Sequence, residues 1–335
     1  MIDSKVIIVG GGPAGSTCAW KLRQSGIECL ILDKQEFPRT KLCAGWITPQ
    51  VISDLKINVN DYPLSLRRLN QFDIHFSSNN FKIKVNHQYA IRRYEFDDWL
   101  LKRSGAEVYA HTVKNIKKDG DYYVIDNQYR CTYLIGAGGT HCPVYRTFFK
   151  QLNPRTKDSL IVTLEDEFLY DYRDSNCHLW FFENKLPGYS WYLPKSNGYV
   201  NIGIGGFSEK LKVNNDNIKN QWNCFIETLE RLSLVKNYHP NAKGYVYYLR
   251  GGLDVVNIDR VFLTGDAAGL GTKDIREGIG PAVQSGILSA EAIITGKPFL
   301  LSSVKKYSFP RYRILAKVLG GYLISLLNRI KKIFL

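Results

Sequence analysis

Glycines at positions 10, 12 and 15 follow the β-branched run Val6-Ile7-Ile8-Val9 and stand just ahead of a stretch of helical composition. In that setting G-x-G-x-x-G has a definite chemistry. Gly10 permits a tight turn, Gly12 lets backbone N–H groups approach a pyrophosphate, and Gly15 lets the helix close on the strand. Pro13 and Ala14 complete the turn. Asp33 ends a second apolar run 18 residues beyond Gly15, where a carboxylate can accept hydrogen bonds from both ribose hydroxyls of an adenosine. An acid there disfavours a 2′-phosphate, so the ligand expected is FAD or NAD rather than NADP. No second G-x-G-x-x-G occurs, which argues against a separate nicotinamide-binding domain. The six histidines lack H-x-x-x-H spacing and the seven cysteines lack C-x-x-C spacing, so no metal site is expected. The absence of G-x-S-x-G leaves no basis for a nucleophile triad.

The elements that must hold this motif are legible in outline. Residues 5–9 predict a strand, 16–24 a helix stopped by Gly26, and 28–33 a second buried strand. Strand, glycine turn, helix and strand form a βαβ unit with a right-handed crossover. Segments 71–76, 81–85, 122–125, 160–164, 178–182 and 199–204 read as strands, and 97–104 and 217–234 as helices. A sheet-rich region is therefore interleaved with the first. Residues 260–264 form another buried strand, followed by Gly265-Asp266-Ala267-Ala268-Gly269 and a helix over 281–294. The fold class expected is α/β, a Rossmann-type domain interleaved with a β-sheet-rich second domain, plus a C-terminal helix.

Five further segments recur in a fixed order over about residues 5–295. They are Pro38-Arg39-x-Lys41-x-Cys43-x-Gly45, Arg93-x-x-Phe96-Asp97-x-Trp99-Leu100 and Leu134-Ile135-Gly136-Ala137-Gly138-Gly139. The fourth is Gly188-Tyr189-Ser190-Trp191-Tyr192-Leu193-Pro194 with Asn201-Ile202-Gly203-x-Gly205, and the last is Gly265-Asp266-Ala267-Ala268-Gly269 with Glu277-Gly278-Ile279-Gly280 and Ser285-Gly286. On these residues the sequence resembles the FAD-dependent oxidoreductases of the geranylgeranyl reductase family, within the wider group of aromatic hydroxylases and flavin halogenases. The resemblance implies FAD as cofactor, held by the glycine turn, Asp33, Lys34, Arg39 and Lys41. Arg93 would face the phosphates or bridge the flavin to the second region. Asp266 would bind a ribityl hydroxyl, with Gly265 allowing close approach. Gly278, Ile279 and Gly280 would aim N–H groups and a helix dipole at the flavin N1/C2=O edge. The expected FAD-binding domain comprises 1–65, 90–150 and 245–298, the substrate domain 66–89 and 151–244, and 299–335 a basic apolar helical segment. Two departures stand out: Gly138 occupies a place where the family usually has Asp, and 270–276 replaces a proline-containing turn facing the flavin. The second departure disfavours monooxygenation and offers Lys273 and Arg276 to a polar or anionic substrate group.

On the substrate side, the resemblance makes Tyr189, Trp191, Tyr192 and Pro194 an aromatic pocket wall. Tyr189 replaces the first of two tryptophans found in halogenases, which favours the reductase branch. Cys43 would protonate a substrate carbon or shape the pocket; Cys43, Tyr189 and Trp191 are the expected catalytic residues. The activity implied is reduction of C=C bonds in an isoprenoid or other long apolar lipid, with electrons from NAD(P)H or a ferredoxin-like protein. Two other readings stand beside it: a flavin monooxygenase, and a membrane-associated flavin-binding protein without turnover.

Composition and charge set the surroundings. The 335 residues are 44% hydrophobic and 23% charged, which excludes wholesale disorder. No acid follows Glu291, and nine Lys/Arg after it leave only +5 of the +14 net charge to the rest of the chain. Within 311–335, apolar residues recur at three- and four-residue intervals flanked by cations, predicting a basic amphipathic helix on a membrane surface. Its uncharged stretch, 318–327, is half the ~20 residues that span a bilayer. Scattered cysteines and the lack of a secretory signal point to a cytoplasmic protein, peripheral on the membrane. Interleaved aliphatics rather than stacking aromatics argue against nucleic-acid binding.

Overall fold

The computed structural model describes residues 1–76, 79–239, 241–251 and 255–308. In chain order, β1 (Ile2–Val9), α1 (Pro13–Gln24) and β2 (Cys29–Asp33) are followed by β3 (Trp46–Ile47), α2 (Pro49–Asp54), β4 (Arg67–Phe76), β5 (Asn79–Ala90) and α3 (Arg93–Ser104). Four short strands come next: β6 (Glu107–Ala110), β7 (Ile116–Asp119), β8 (Tyr122–Ile125) and β9 (Tyr129–Gly136). The second half holds β10 (Leu160–Leu169), β11 (Cys177–Phe181), β12 (Gly188–Pro194), β13 (Tyr199–Phe207), α4 (Ser208–Val213), α5 (Ile218–Arg231) and β14 (Lys243–Tyr248). It closes with β15 (Asn257–Ile258), β16 (Val261–Leu263) and α6 (Ile279–Thr295).

The fold is the expected α/β class, with a Rossmann-type sheet and a second, mostly antiparallel sheet. The first runs in the order β15-β16-β9-β1-β2-β6, with β8 and β7 added beside β9. Pairs β16–β9, β9–β1, β1–β2 and β2–β6 are parallel. Val6, Ile7, Ile8, Ile31, Leu134 and Ile135 are fully buried, as their continuous apolar runs require of strands covered on both faces. The glycine turn is sterically dictated. Gly10 has φ +112, and a Cβ at Gly15 would lie 1.9 Å from the Gly10 carbonyl oxygen. A Cβ at Gly286 would meet the Ala14 carbonyl at 2.4 Å, so α6 rests backbone to backbone on α1.

The second sheet runs β14-β10-β13-β12-β11-β4-β5-β3. Only the β11–β4 pair is parallel. One face is closed by α5, whose N-cap Asn217 side chain accepts the N–H groups of Lys219 and Asn220. Trp222, Phe225 and Leu229 of α5 pack with Trp180, Tyr192, Ile202 and Ile204. The other face carries Thr163, Glu165, Tyr189 and Trp191 toward the nucleotide-binding half.

Most predicted elements are present with shifted ends. The strand read over 160–164 continues to Leu169, and Lys243–Tyr248 is a strand where none was expected. Carboxylates at 165–167 and Lys243-Gly244 lower strand propensity, and pairing of β10 with β13 and of β14 with β10 overrides it. Among the described residues, no helix is long and apolar enough to cross a membrane. Residues 299–308 include the short turn Leu301–Ser303. The helix expected over 311–335 lies outside the described residues.

Candidate active site

A cavity of about 800 Å³ lies between the C-terminal ends of β1, β2 and β9 and the inner face of the second sheet. This is where a parallel sheet presents its ligand site. The N-terminus of α1 opens onto it at Gly12, Pro13 and Ala14, with no capping side chain and no acid in the first turn. Its N–H groups and positive dipole end are thus left to an anion. Asp33 lines the same wall and is 8% exposed. Its Oδ2 accepts the Gly11 N–H at 2.7 Å and its Oδ1 the Gln35 N–H at 2.9 Å. These bonds fix the carboxylate and leave a lone pair on each oxygen for a ligand. Lys34 lies beside it.

The loop after β2 turns at a cis Phe37–Pro38 bond and delivers Arg39, Lys41 and Cys43 to the cavity. Lys41 Nζ is buried without a hydrogen-bond partner and sits 2.9 Å from the centroid of the Tyr245 ring. Burial pushes its pKa down to about 8, against the pull of Asp266. Opposite, Gly265 and Asp266 form a turn after β16, and Gly278 and Ile279 begin α6. An uncapped helix start, a fixed carboxylate at the second strand end and an orphaned buried ammonium fit FAD. Gly10, Gly12 and Asp33 would take its adenosine diphosphate half. Lys41, Asp266, Gly278 and Ile279 lie where its flavin half would extend.

Several expected contacts are redirected. Gly15 does not line the cavity; its role is the close packing of α1 on the Gly10 turn. Gly280 does not line it either, because its N–H donates to Glu277 Oε1 at 3.2 Å. Arg93 is in the wall, but its Nε and Nη2 form a fork with Asp97, at 2.6 and 2.7 Å, and Asp97 is fully buried. This pairing raises the Arg93 pKa further. Arg39, on the loop that carries Cys43, brings its Nη1 to 3.4 Å from Asp97. Arg93 is thus committed to Asp97 rather than standing free for a phosphate, and Arg39 ties the Cys43 loop to the same carboxylate.

On the substrate side Tyr189, Trp191 and Cys43 line the cavity. Tyr189 donates its hydroxyl to the Ile275 carbonyl, and Trp191 Nε1–H donates to Asn201 Oδ1 at 2.7 Å. The absence of a Cβ at Gly203 makes room for the Trp191 ring, which would otherwise lie 2.2 Å away. Tyr192 and Pro194 do not join this wall. Strand side chains alternate faces, so Tyr192 packs against α5 and donates to the Asp174 carbonyl. Arg276 reaches the cavity with two nitrogens committed to the Gly205 and Pro187 carbonyls. Lys273 is outside, and its backbone N–H pairs with the Lys306 carbonyl.

Other wall residues were missed. Tyr245 and Tyr247 come from β14, and Glu165 from the extension of β10. Arg155 braces the flavin-side turn by donating to the Thr140 and Ala267 carbonyls. Elsewhere, Asp73, Asp174 and His178 bring one potential ligand atom each within 4.8 Å of one another. Gln71 and Asn176 donate to Asp73, and His178 pairs with both Asp174 and His75.

Residues 8–46 match the NAD(P)-binding Rossmann-like domain family. The chain is 32% identical over 331 residues to an uncharacterized protein of Methanosarcina barkeri, covering 91% of this chain and 76% of the relative. It is 28% identical to a digeranylgeranylglycerophospholipid reductase of Methanosphaera stadtmanae, over 85% of this chain and 75% of that one. The fold matches a geranylgeranyl bacteriochlorophyll reductase-like protein of Thermoplasma acidophilum with a TM-score of 0.74 and 20% identity, over 92% of this chain and 82% of that one. The nucleotide cradle, the second sheet closing over it, and similarity along nearly the whole chain give one result: the chain belongs to the geranylgeranyl reductase-like family of FAD-dependent oxidoreductases.

Proposed function

We propose that the protein saturates carbon–carbon double bonds in an isoprenoid or other long apolar lipid. The observation that carries this reading is the continuity of the cavity. One wall is a dinucleotide cradle, and the other presents Tyr189, Trp191 and Tyr247, an aromatic surface suited to an apolar chain. The reductase name of the Methanosphaera stadtmanae relative supports the same class.

Bound FAD would supply the hydride. Gly12 and Asp33 would fix the nucleotide, and Lys41 and the start of α6 would face the flavin with positive charge. Trp191, held by Asn201, and Tyr189, held by Ile275, would exclude water and orient the chain. We assign 1–65, 90–150 and 245–298 to cofactor binding and 66–89 with 151–244 to the substrate side, with the exception that β3 and β14, which pair in the second sheet, go with the substrate side. NAD(P)H or a ferredoxin-like protein would reload the flavin. The cations and aliphatic residues of 311–335 would hold the protein at an anionic membrane surface, where such a substrate resides.

Incubating FAD-loaded protein anaerobically with a reductant and an isoprenoid lipid extract, followed by mass spectrometry, tests the reaction. The expected product carries two added hydrogens. A product carrying added oxygen, formed only when air is admitted, would replace this reading with monooxygenation.

A further inference from the structure

We propose that Glu165 is the acid that protonates the substrate carbon when a double bond is reduced, an assignment that rests on the reductase reading above. Glu165 projects from β10 into the cavity shared by Cys43, Tyr189 and Trp191 and is 4% exposed. In the sheet it stands opposite Gly203 of β13 and Lys243 of β14. Gly203 contributes no side chain beside it, and Cys43 lines the same cavity.

The other acids of the wall have different employment, Asp266 standing in the turn after β16 where the flavin half would extend. Asp33 is held at the adenosine end by Gly11 and Gln35. Glu277 caps α6 through the Gly280 N–H. The Cys43 sulfur accepts the Gly45 N–H. Tyr189 is committed to Ile275. Burial raises the Tyr247 phenol far above its ordinary range, leaving it a weak acid. Glu165 combines access to the cavity with a proton that is available near neutrality. Burial pushes its pKa up to about 7 against the charges facing it, Lys195 first and then Lys41, while Glu167 on its own strand acts with burial. An acid poised there matches the requirement for general acid catalysis near neutral pH.

The step balances. One alkene carbon gains the hydride and its two electrons. As the π bond opens, the neighbouring carbon takes the Glu165 proton, forming C–H as the carboxyl O–H breaks and leaving a carboxylate. Water supplies the next proton. Lys195, whose charge acts on Glu165, is 1% exposed and paired with Glu167, which also meets Arg92 in a half-buried position.

Glu165→Gln keeps the size and a carbonyl oxygen but holds no acidic proton. In anaerobic single turnovers with a geranylgeranyl lipid, the rate of saturation should fall at least ~100-fold, while FAD affinity by fluorescence titration stays within about twofold of wild type. The protonated carboxyl is the donor, so the wild-type rate should fall as pH rises through about 7. That limb should be absent from the residual rate of Glu165→Gln and retained by Glu165→Asp, which should recover part of the activity. Infrared spectra of substrate-free protein should contain a neutral carboxyl C=O band at pH 6 that disappears with rising pH and is missing in Glu165→Gln. A Glu165→Gln rate within twofold of wild type with the limb intact, or a wild-type protein without that band, overturns the assignment while leaving the reductase reading standing. A wild-type protein that saturates no double bond removes the reading and this donor together.

Discussion

Gly12→Glu is expected to abolish FAD uptake without unfolding the protein. Gly12 has an extended backbone, φ −72 and ψ −174, open to any residue. A Cβ there would have Arg39 Nη2 as its nearest neighbour at 3.4 Å, an ordinary contact. The new carboxylate would therefore be accommodated, but in front of the α1 N-terminus and beside the Arg39 guanidinium, where the pyrophosphate must lie. An internal anion would compete for the same N–H groups and repel the phosphates. FAD affinity should fall at least ~100-fold, about 2.7 kcal/mol. The unfolding midpoint of the FAD-free protein should match wild type. Fluorescence titration with FAD and urea unfolding of the apoprotein measure the two quantities. Wild-type affinity in the variant would show that the cofactor does not cross Gly12.

Asp97→Ala should be the most destabilising single substitution near the site. Asp97 is fully buried, takes two hydrogen bonds from Arg93 and has Arg39 Nη1 at 3.4 Å. Removing it leaves two guanidinium groups facing each other in a largely dry place. Breaking a buried pair by deleting one partner costs about 3–5 kcal/mol, chiefly because the surviving charge is uncompensated. The Cys43 loop should loosen as well, since Arg39 on that loop meets Asp97 of α3. Urea unfolding should register the full loss in Asp97→Ala and a smaller one in Asp97→Asn, which keeps the shape and an acceptor. A loss below about 1 kcal/mol in the alanine variant would place this pair with exposed ones in its energetics.

Legibility in the sequence followed the strength of the local constraint. The βαβ start was readable because a strand buried on both faces needs an unbroken apolar run, and the turn after it tolerates only glycine at 10 and 15. Asp33 was readable because its place at a strand end is a property of the motif. Tyr192, which the resemblance puts in the pocket wall, lies on the α5 side because the strand pleat sends alternate side chains to opposite faces. Glu165 is not legible because the carboxylates at 165–167 break the apolar run that ends at Leu164, and Tyr245 and Tyr247 are not because Lys243-Gly244 carries no strand pattern. In each case tertiary pairing with β10 or β13 sets the conformation. The fork between Arg93 and Asp97 has helical i,i+4 spacing, yet only the burial of α3 against the cavity wall turns that spacing into an anchor. Arg155 was beyond reach, since its partners Thr140 and Ala267 are distant in the chain.

The most direct test of the central claim is stoichiometric. FAD-loaded protein is reduced under nitrogen, freed of excess reductant and mixed with a geranylgeranyl lipid. The return of the oxidised flavin's visible absorption is then followed while double bonds are counted by mass spectrometry. Double-bond reduction in this cavity requires one double bond lost for each flavin reoxidised, with no oxygen present. A flavin that stays reduced until air is admitted, or that reoxidises while the lipid keeps every double bond, would contradict it.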